Sequence, residues 1–599
     1  MAKLTNTDQA SDLKTNWDLT PLFASDKDPK IALIEGQAVR ASYEFIDKWK
    51  KRKDYLKEPT ILAEALAEYE AWLKNHGYNN KVCYYFHLQT ELDQNNPDLK
   101  ARYNKAKEVS IKIQNDIQFF TLNIAKIPVK NQPGFLAEPA LASYRHFLEH
   151  CFSEAKYLLS DSEEKIINHH VEPAYLNWVK LVSSQLSKEK RSGKTFPELL
   201  AELNNQNPKK REGAFVLVNK ILDDNSDVAE AEINSILGYK KTIDELRGST
   251  RPDFLRHLSD DISSSAVDAM LEAVTERFDL SQRYYAFKAK VLGFKKIKYY
   301  EKNLSVGQIE KKYEYSEAVK LVGQVLDRLD QGWKNIFENF VKNGQIDVYP
   351  KQNRSDGAFC THMSSKEPTY ILLNHTDQLR DVTTLAHEFG HGLNNELIKQ
   401  KQPEIYFDTP VSTAEVASTF VEDFVLEELG RQTGDEMKLS LMMAKLDEDV
   451  ATIFRQVAAY RFEQALHQNF RDQGYLSKKE IGKIFLENMK AYTGPAIDYP
   501  AGTENWWIYW SHFRNFFYVY SYASGLLISK SLQTLVRQDN KNISRVEKFL
   551  SAGTSDSPVA IFAELGLDIQ TKDFWQKGLT EIENLLNEAE KLYNILNEK

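Results

Sequence analysis

The chain has 599 residues, 42% hydrophobic and 27% charged, a composition of folded globular proteins that excludes wholesale disorder. Its 77 basic and 86 acidic side chains leave a net charge of -9, too weak a field over so large a surface to favour nucleic acid as a partner. No run of about 18 apolar residues offers a bilayer span, and Cys83, Cys151 and Cys360 are too few and too widely spaced for a disulfide framework or a cysteine metal site.

Length implies roughly three to five domain-sized units, or fewer in a large helical enzyme. The polar start, Met1 to Lys14, lacks the apolar stretch of a secretory signal, so a cytoplasmic address and no membrane partner are expected. Apolar residues recurring at three- and four-residue intervals predict helix through most of the chain, as over Ile61 to Leu73 and Val267 to Phe278. Lys188 to Glu212 gathers Gly193, Pro197, Pro208 and many Lys and Arg, the composition of an exposed connection. It divides the chain into an N-terminal helical domain, 1–195, and a larger domain, 196–599. Thr369 to Leu373 is the one segment with strand character and predicts a small sheet. A strand there, at a cleft edge, can pair with an extended substrate backbone; ordinary structural pairing is the other reading.

Downstream, Leu385-Ala386-His387-Glu388-Phe389-Gly390-His391 carries the HExxH pattern, whose four-residue spacing on a helix turns both imidazoles to one face. Val382, Leu385, Ala386, Phe389 and Leu393 form a stripe that buries this helix, and Asp381 suits its N-cap. A catalytic zinc takes three protein ligands and leaves one position open for water. The longer histidine motif is absent, because Asn394 and Leu397 stand where Gly and the third His would be, so the third ligand is a carboxylate. Glu415 is the candidate: it opens an amphipathic helix, Thr413 to Leu429, joined to the first by a loop over Gly392 to Ser412. Ser412-Thr413-Ala414-Glu415 also fits a capping box, the alternative use of Glu415. Glu422, two turns on, shares the face of Glu415 and can hydrogen-bond a ligand histidine, or be an ordinary solvated carboxylate. One zinc per chain, held by His387, His391 and Glu415, would lower the pKa of a bound water towards about 7 and polarise a scissile carbonyl. Glu388 would be the general base, taking the proton from water and passing it to the leaving amine.

Several dispersed segments resemble oligoendopeptidase F, of the thimet-oligopeptidase-like zinc metallopeptidases. They are Trp17-Asp18-Leu19-Thr20-Pro21-Leu22-Phe23, Asp356-Gly357-Ala358-Phe359-Cys360, the stretch Asp381 to His391, Ala414 to Phe420, Phe517 to Gly525, and Ala552 to Pro558. The resemblance implies a mainly α fold: a large helical metallopeptidase with a deep channel and a small β-sheet beside the HExxH helix. The domain at 196–599 would be catalytic, and the substrates short unstructured peptides cut at internal bonds. Asn394, where relatives commonly carry His, and Thr554, where a second Gly is usual, depart from the pattern and bear on substrate preference. A zinc carboxypeptidase of similar form is the nearest alternative. A non-catalytic peptide-binding protein is another, against which the intact Glu388 argues.

A tetrahedral intermediate also needs a hydrogen-bond donor aimed at its oxyanion. The family resemblance assigns that role to a His and Tyr hydroxyls on a mobile segment, matched here by His512 with Tyr518, Tyr520 and Tyr522. Tyr522 aligns best when the Tyr-x-Tyr pair is matched. Rings in Trp506 to Tyr522 otherwise serve the core.

Overall fold

The computed structural model describes residues 13–307 and 311–598; most of the polar start, residues 1–12, lies outside them. The described residues are mainly helical, with the predicted run at Ile61 to Leu73 inside a helix over Pro59–Asn75. The run at Val267 to Phe278 divides differently. One helix ends at Glu276, Arg277 leaves helical geometry at φ -110°, and a second helix starts at Phe278. Lys188 to Glu212 holds a short hairpin, Lys190–Arg191 with Lys194–Thr195, and a helix over Phe196–Glu202. Gly193 supplies the turn at φ 80°. No helix of the described residues is long and apolar enough to cross a membrane.

Apolar side chains gather into three cores. The largest runs from Val182 to Ala589, a second from Phe45 to Phe152, and a third joins Trp17, Leu19, Leu22 and Phe23 to Tyr84, Tyr85, Tyr370 and Leu372. This third core explains the Trp-Asp opening. The Trp17 indole donates to the Ile371 carbonyl at 2.8 Å, and its backbone N–H donates to the buried Asp347 carboxylate at 2.9 Å. Tyr370 in turn donates to the Asp18 carbonyl at 2.9 Å. The start of the described chain is thereby fastened to the sheet beside the motif helix.

That sheet has three strands, β1 (Ile346–Asp347), β2 (Phe359–Thr361) and β3 (Tyr370–Leu372), in the order β1-β3-β2. β1 is parallel to β3, and β2 antiparallel with Cys360 opposite Ile371. The predicted strand is thus the central one, fully buried with both edges paired, so of its two readings the structure favours ordinary structural pairing. The edge belongs to β2, which packs beside the motif helix.

Six helices position the site: α1 (Leu379–Lys401), α2 (Val416–Arg431), α3 (Asp435–Asp449), α4 (Arg455–Gln473), α5 (Tyr520–Gln538) and α6 (Lys572–Glu598). Val382, Leu385, Phe389 and Leu393 of α1 are all 0% exposed. Burial of each stabilises the helix by about 1.5–3 kcal/mol.

Candidate active site

Helix α1 starts earlier than the sequence suggests. Its N-cap is Gln378, and Asp381 works from the third helical position, accepting from the backbone N–H groups of Gln378 at 2.9 Å and Thr376 at 2.7 Å. The carboxylate satisfies donors that a helix start leaves open, by reaching back rather than forward. Helix α1 also runs through the first half of the expected loop, because Leu397 and Ile398 continue the buried stripe to Lys401. The connection is therefore residues 402–415, with tight turns at Glu404–Tyr406 and Val411–Thr413.

Close approach of α1 to α2 brings the candidate ligands together. A Cβ on Gly390 would lie 2.5 Å from the Ala417 carbonyl oxygen, so only glycine fits inside the motif at this crossing. Glu415 sits just before α2 at φ -87° and makes no capping hydrogen bond, which excludes the capping box. Its Oε2 instead lies 3.3 Å from His387 Nε2 and 3.7 Å from His391 Nε2, and accepts from the Ser418 hydroxyl at 3.1 Å. From the other side α5 reaches Glu415 at Gly525, where a Cβ would come within 3.0 Å of the Glu415 Cβ.

One atom each from His387, His391 and Glu415 lie within 4.8 Å of one another. Tetrahedral bonds of about 2.0–2.2 Å to zinc put neighbouring ligand atoms about 3.4 Å apart, so the measured separations fit such an ion. His387 Nδ1 is 3.0 Å from Glu422 Oε2, the contact that leaves Nε2 turned toward the cluster. Charges agree. Burial alone would push the His387 pKa down, yet the carboxylates of Glu415 and Glu422 lift it to about 10. Burial pushes Glu415 up, but His387 and His391 hold it at about 2, while burial takes His391 down to about 4. Two anions thus collect a positive charge on His387, where a cation would replace the proton.

Glu388 is 8% exposed, and burial, with the charge of Glu415, raises it to about 7 although His387 opposes. The Cys360 backbone of β2 works the other way, lowering it. A carboxyl poised near neutrality matches a proton shuttle.

The aromatic segment divides. His512 Nε2 lies 3.3 Å from the Tyr522 hydroxyl, and the rings of Tyr518 and Tyr522 meet at 5.5 Å. Burial first, then Tyr518 and the charge of Glu415, raise Tyr522 to about 12, leaving a protonated donor beside the cluster. Tyr520 is not brought to the site. It is 0% exposed and donates to Asp260 at 2.7 Å, because consecutive even positions at a helix start point about 200° apart. The segment is also tied down: Arg514 forms a buried pair with Glu232 at 2.7 Å, and Glu463 accepts from Phe517 N–H at 2.6 Å. Between them Phe516 and Phe517 take φ of 36° and 58°, strained for aromatic residues and held by these anchors.

Sequence reasoning did not single out His362, whose Nδ1 lies 3.1 Å from the Asn395 amide and whose charge bears on His391. No spacing rule connects a residue just past β2 to the motif. Asn394, by contrast, is buried and donates to the Leu550 carbonyl at 2.6 Å, while Thr554 N–H donates to Tyr406 at 3.3 Å. Both departures lie where α1 meets the C-terminal tail.

Comparison with known proteins agrees with this geometry. The pattern of peptidase family M3 matches residues 203–581, and that described as oligopeptidase F matches residues 123–186. A protein named oligoendopeptidase F homolog from Borreliella burgdorferi is 24% identical over 588 residues, covering 96% of this chain and 98% of that one. A solved peptidase from Chlamydophila abortus superposes with a TM-score of 0.84 at 21% identity, covering 96% of this chain and 98% of its own. Oligoendopeptidase-F from Enterococcus faecium gives 0.67 at 17% identity, with 94% and 98% covered. This chain belongs to peptidase family M3 and is a metallo-endopeptidase that acts on oligopeptides.

Proposed function

We propose that the chain is a cytoplasmic, zinc-dependent endopeptidase that hydrolyses internal bonds of short unstructured oligopeptides. The convergence of His387, His391 and Glu415 within 4.8 Å, with Glu388 beside them, carries this reading. Zinc held by these three residues supplies Lewis acidity toward a scissile carbonyl and a water. Glu388 takes the proton from the water and delivers it to the leaving amine. Glu422 accepts from His387 Nδ1–H and keeps Nε2 facing the cluster. Tyr522, with His512 as second donor and Tyr518 packed against it, hydrogen-bonds the oxyanion as the tetrahedral carbon forms. Tyr520 supports the start of α5 through Asp260 rather than meeting the substrate. The division falls at 195/196, between an N-terminal helical domain and a catalytic one; the interval between the two pattern matches, from 186 to 203, supports it.

The test is mass spectrometry of products from a peptide blocked at both ends, before chelation, after it, and with zinc restored. Internal cuts that vanish on chelation and return with zinc are expected. Trimming confined to peptides with a free C-terminus would identify a carboxypeptidase. Cutting by verified metal-free protein would remove zinc from the mechanism.

A further inference from the structure

A cavity of about 560 Å³ opens between α3, the start of α4 and the segment 302–307. Its lining carries two cations, Lys302 and Arg455, and two carboxyls, Asp447 and Glu448. Both carboxyls are already engaged. Asp447 accepts from Lys288 and Tyr284, and Glu448 pairs with Lys445 at 3.1 Å.

The cations are left over. Lys302 is 7% exposed, yet among the described residues its ammonium has no ion-pair or hydrogen-bond partner, only the Tyr299 and Trp506 rings at 4.3 and 6.0 Å. The Arg455 guanidinium has one hydrogen bond, Nε to the Ala451 carbonyl at 3.3 Å, and no carboxylate among the described residues. Buried charge is ordinarily paired, because desolvating an ion costs several kcal/mol. Burial, then Arg455 and Lys288, push the Lys302 pKa down to about 7, and an arriving anion would favour its charged form.

The cavity borders two elements that lead to the candidate site. Lys445, the partner of Glu448 on its wall, also pairs at 2.6 Å with Asp423, the neighbour in sequence of Glu422, which meets His387. Arg455 lies 5.9 Å from the Trp510 ring, two residues before His512.

We propose that Lys302 and Arg455 form a subsite for a carboxylate of the peptide substrate, so that this enzyme reads an acidic group at a set distance from the cleaved bond. The subsite rests on the endopeptidase reading above. Arg supplies planar paired donors and Lys a compact charge, a combination suited to a carboxylate entering a part-buried wall. The acidic group is a free C-terminus or an Asp or Glu side chain, sources that share this chemistry.

The experiment uses the zinc-loaded full chain and three N-acetylated peptides of one sequence around a fixed cleavage site: a free C-terminal acid, its amide, and an amide ending in Glu instead of Gln. The wild-type enzyme is expected to cut the acid with KM about tenfold lower than the amide, at similar kcat, as a charge-assisted pair would give. If a side-chain carboxylate is what the subsite takes, the Glu-bearing amide shows the advantage instead. In Arg455→Met and Lys302→Met the acid-to-amide ratio of kcat/KM falls toward one, and a ratio is insensitive to the fraction of enzyme that is folded. Equal kcat/KM for all three peptides in the wild type overturns the subsite and leaves the endopeptidase standing, as does a ratio that survives in both variants. No cleavage of any of the three overturns both.

Discussion

Replacing Glu388 with Gln removes a proton acceptor while preserving the size and planarity of the side chain. Because Glu388 is not among the three clustered ligands, Glu388→Gln is expected to keep full zinc content and lose about a hundredfold or more in kcat. Near-normal turnover with zinc bound would reassign the base. A paired test separates two tyrosines that look equivalent in sequence. Tyr522→Phe removes a donor beside His512 and is expected to cost about ten- to a thousandfold in kcat with unchanged melting temperature. Tyr520→Phe removes the buried bond to Asp260, which keeps Arg256 as a partner at 2.7 Å. It should cost about 1 kcal/mol of stability and leave turnover near wild type. The reverse pattern would exchange their roles.

At the scale of elements, the crossing of α1 and α2 is the decisive contact. The Cβ introduced by Gly390→Ala meets backbone at Ala417 and Ser418, both at 2.5 Å, and backbone cannot rotate away as a side-chain tip can. The helices must separate, which costs about 1–3 kcal/mol as overpacking and parts Glu415 from the two imidazoles. Gly390→Ala is therefore expected to lower both the melting temperature and zinc affinity, read by calorimetry and by zinc competition with a chelating dye. Unchanged zinc affinity would show that the ligands follow the helices without loss. Phe389, beside it, is buried against Phe337 and Phe340 at 4.8 and 5.7 Å, so Phe389 and Gly390 of HExxH serve the packing of the helix.

For the whole molecule, one contribution to acid sensitivity comes from a histidine at the junction between the helix over Ser264–Glu276 and α4. His257 is 1% exposed, 2.9 Å from both the Ser264 and Tyr460 hydroxyls, and burial lowers its pKa to about 4. The unfolded chain, with an ordinary pKa near 6.5, binds this proton first on acidification. Stability from the neutral ring is thus present above about pH 6.5 and is lost progressively as pH falls toward the folded value of about 4. Between pH 6.5 and 5 the loss is on the order of 2 kcal/mol. Urea unfolding across that range should show a steeper decline in the wild type than in His257→Gln. Parallel declines would assign the acid sensitivity elsewhere.

The motif of the candidate site was legible because it is local. His387, Glu388 and His391 lie within one and a half turns of a single helix, and the 3.6-residue period alone places His387 and His391 on one face. The need for a third ligand followed from zinc's coordination, and the dispersed motifs, Trp17 to Phe23 among them, marked the family before any coordinates. What the sequence left open depended on contacts between distant segments. Whether Glu415 caps its helix or meets the imidazoles was decided by the glycine crossing at Gly390 and by the approach of α5 at Gly525. Which strand borders the site depended on pairing order, since residues 370–372 have strand character wherever they lie in a sheet. The tyrosine register turned on a helix start and on the Arg514–Glu232 pair, partners 282 positions apart. Lys302 and Arg455 show the same limit. A lone cation in a sequence is unremarkable, and only packing reveals that no counterion among the described residues reaches it. Sequence determines which groups are available and how they repeat along an element, whereas their convergence depends on long-range packing that no local period encodes.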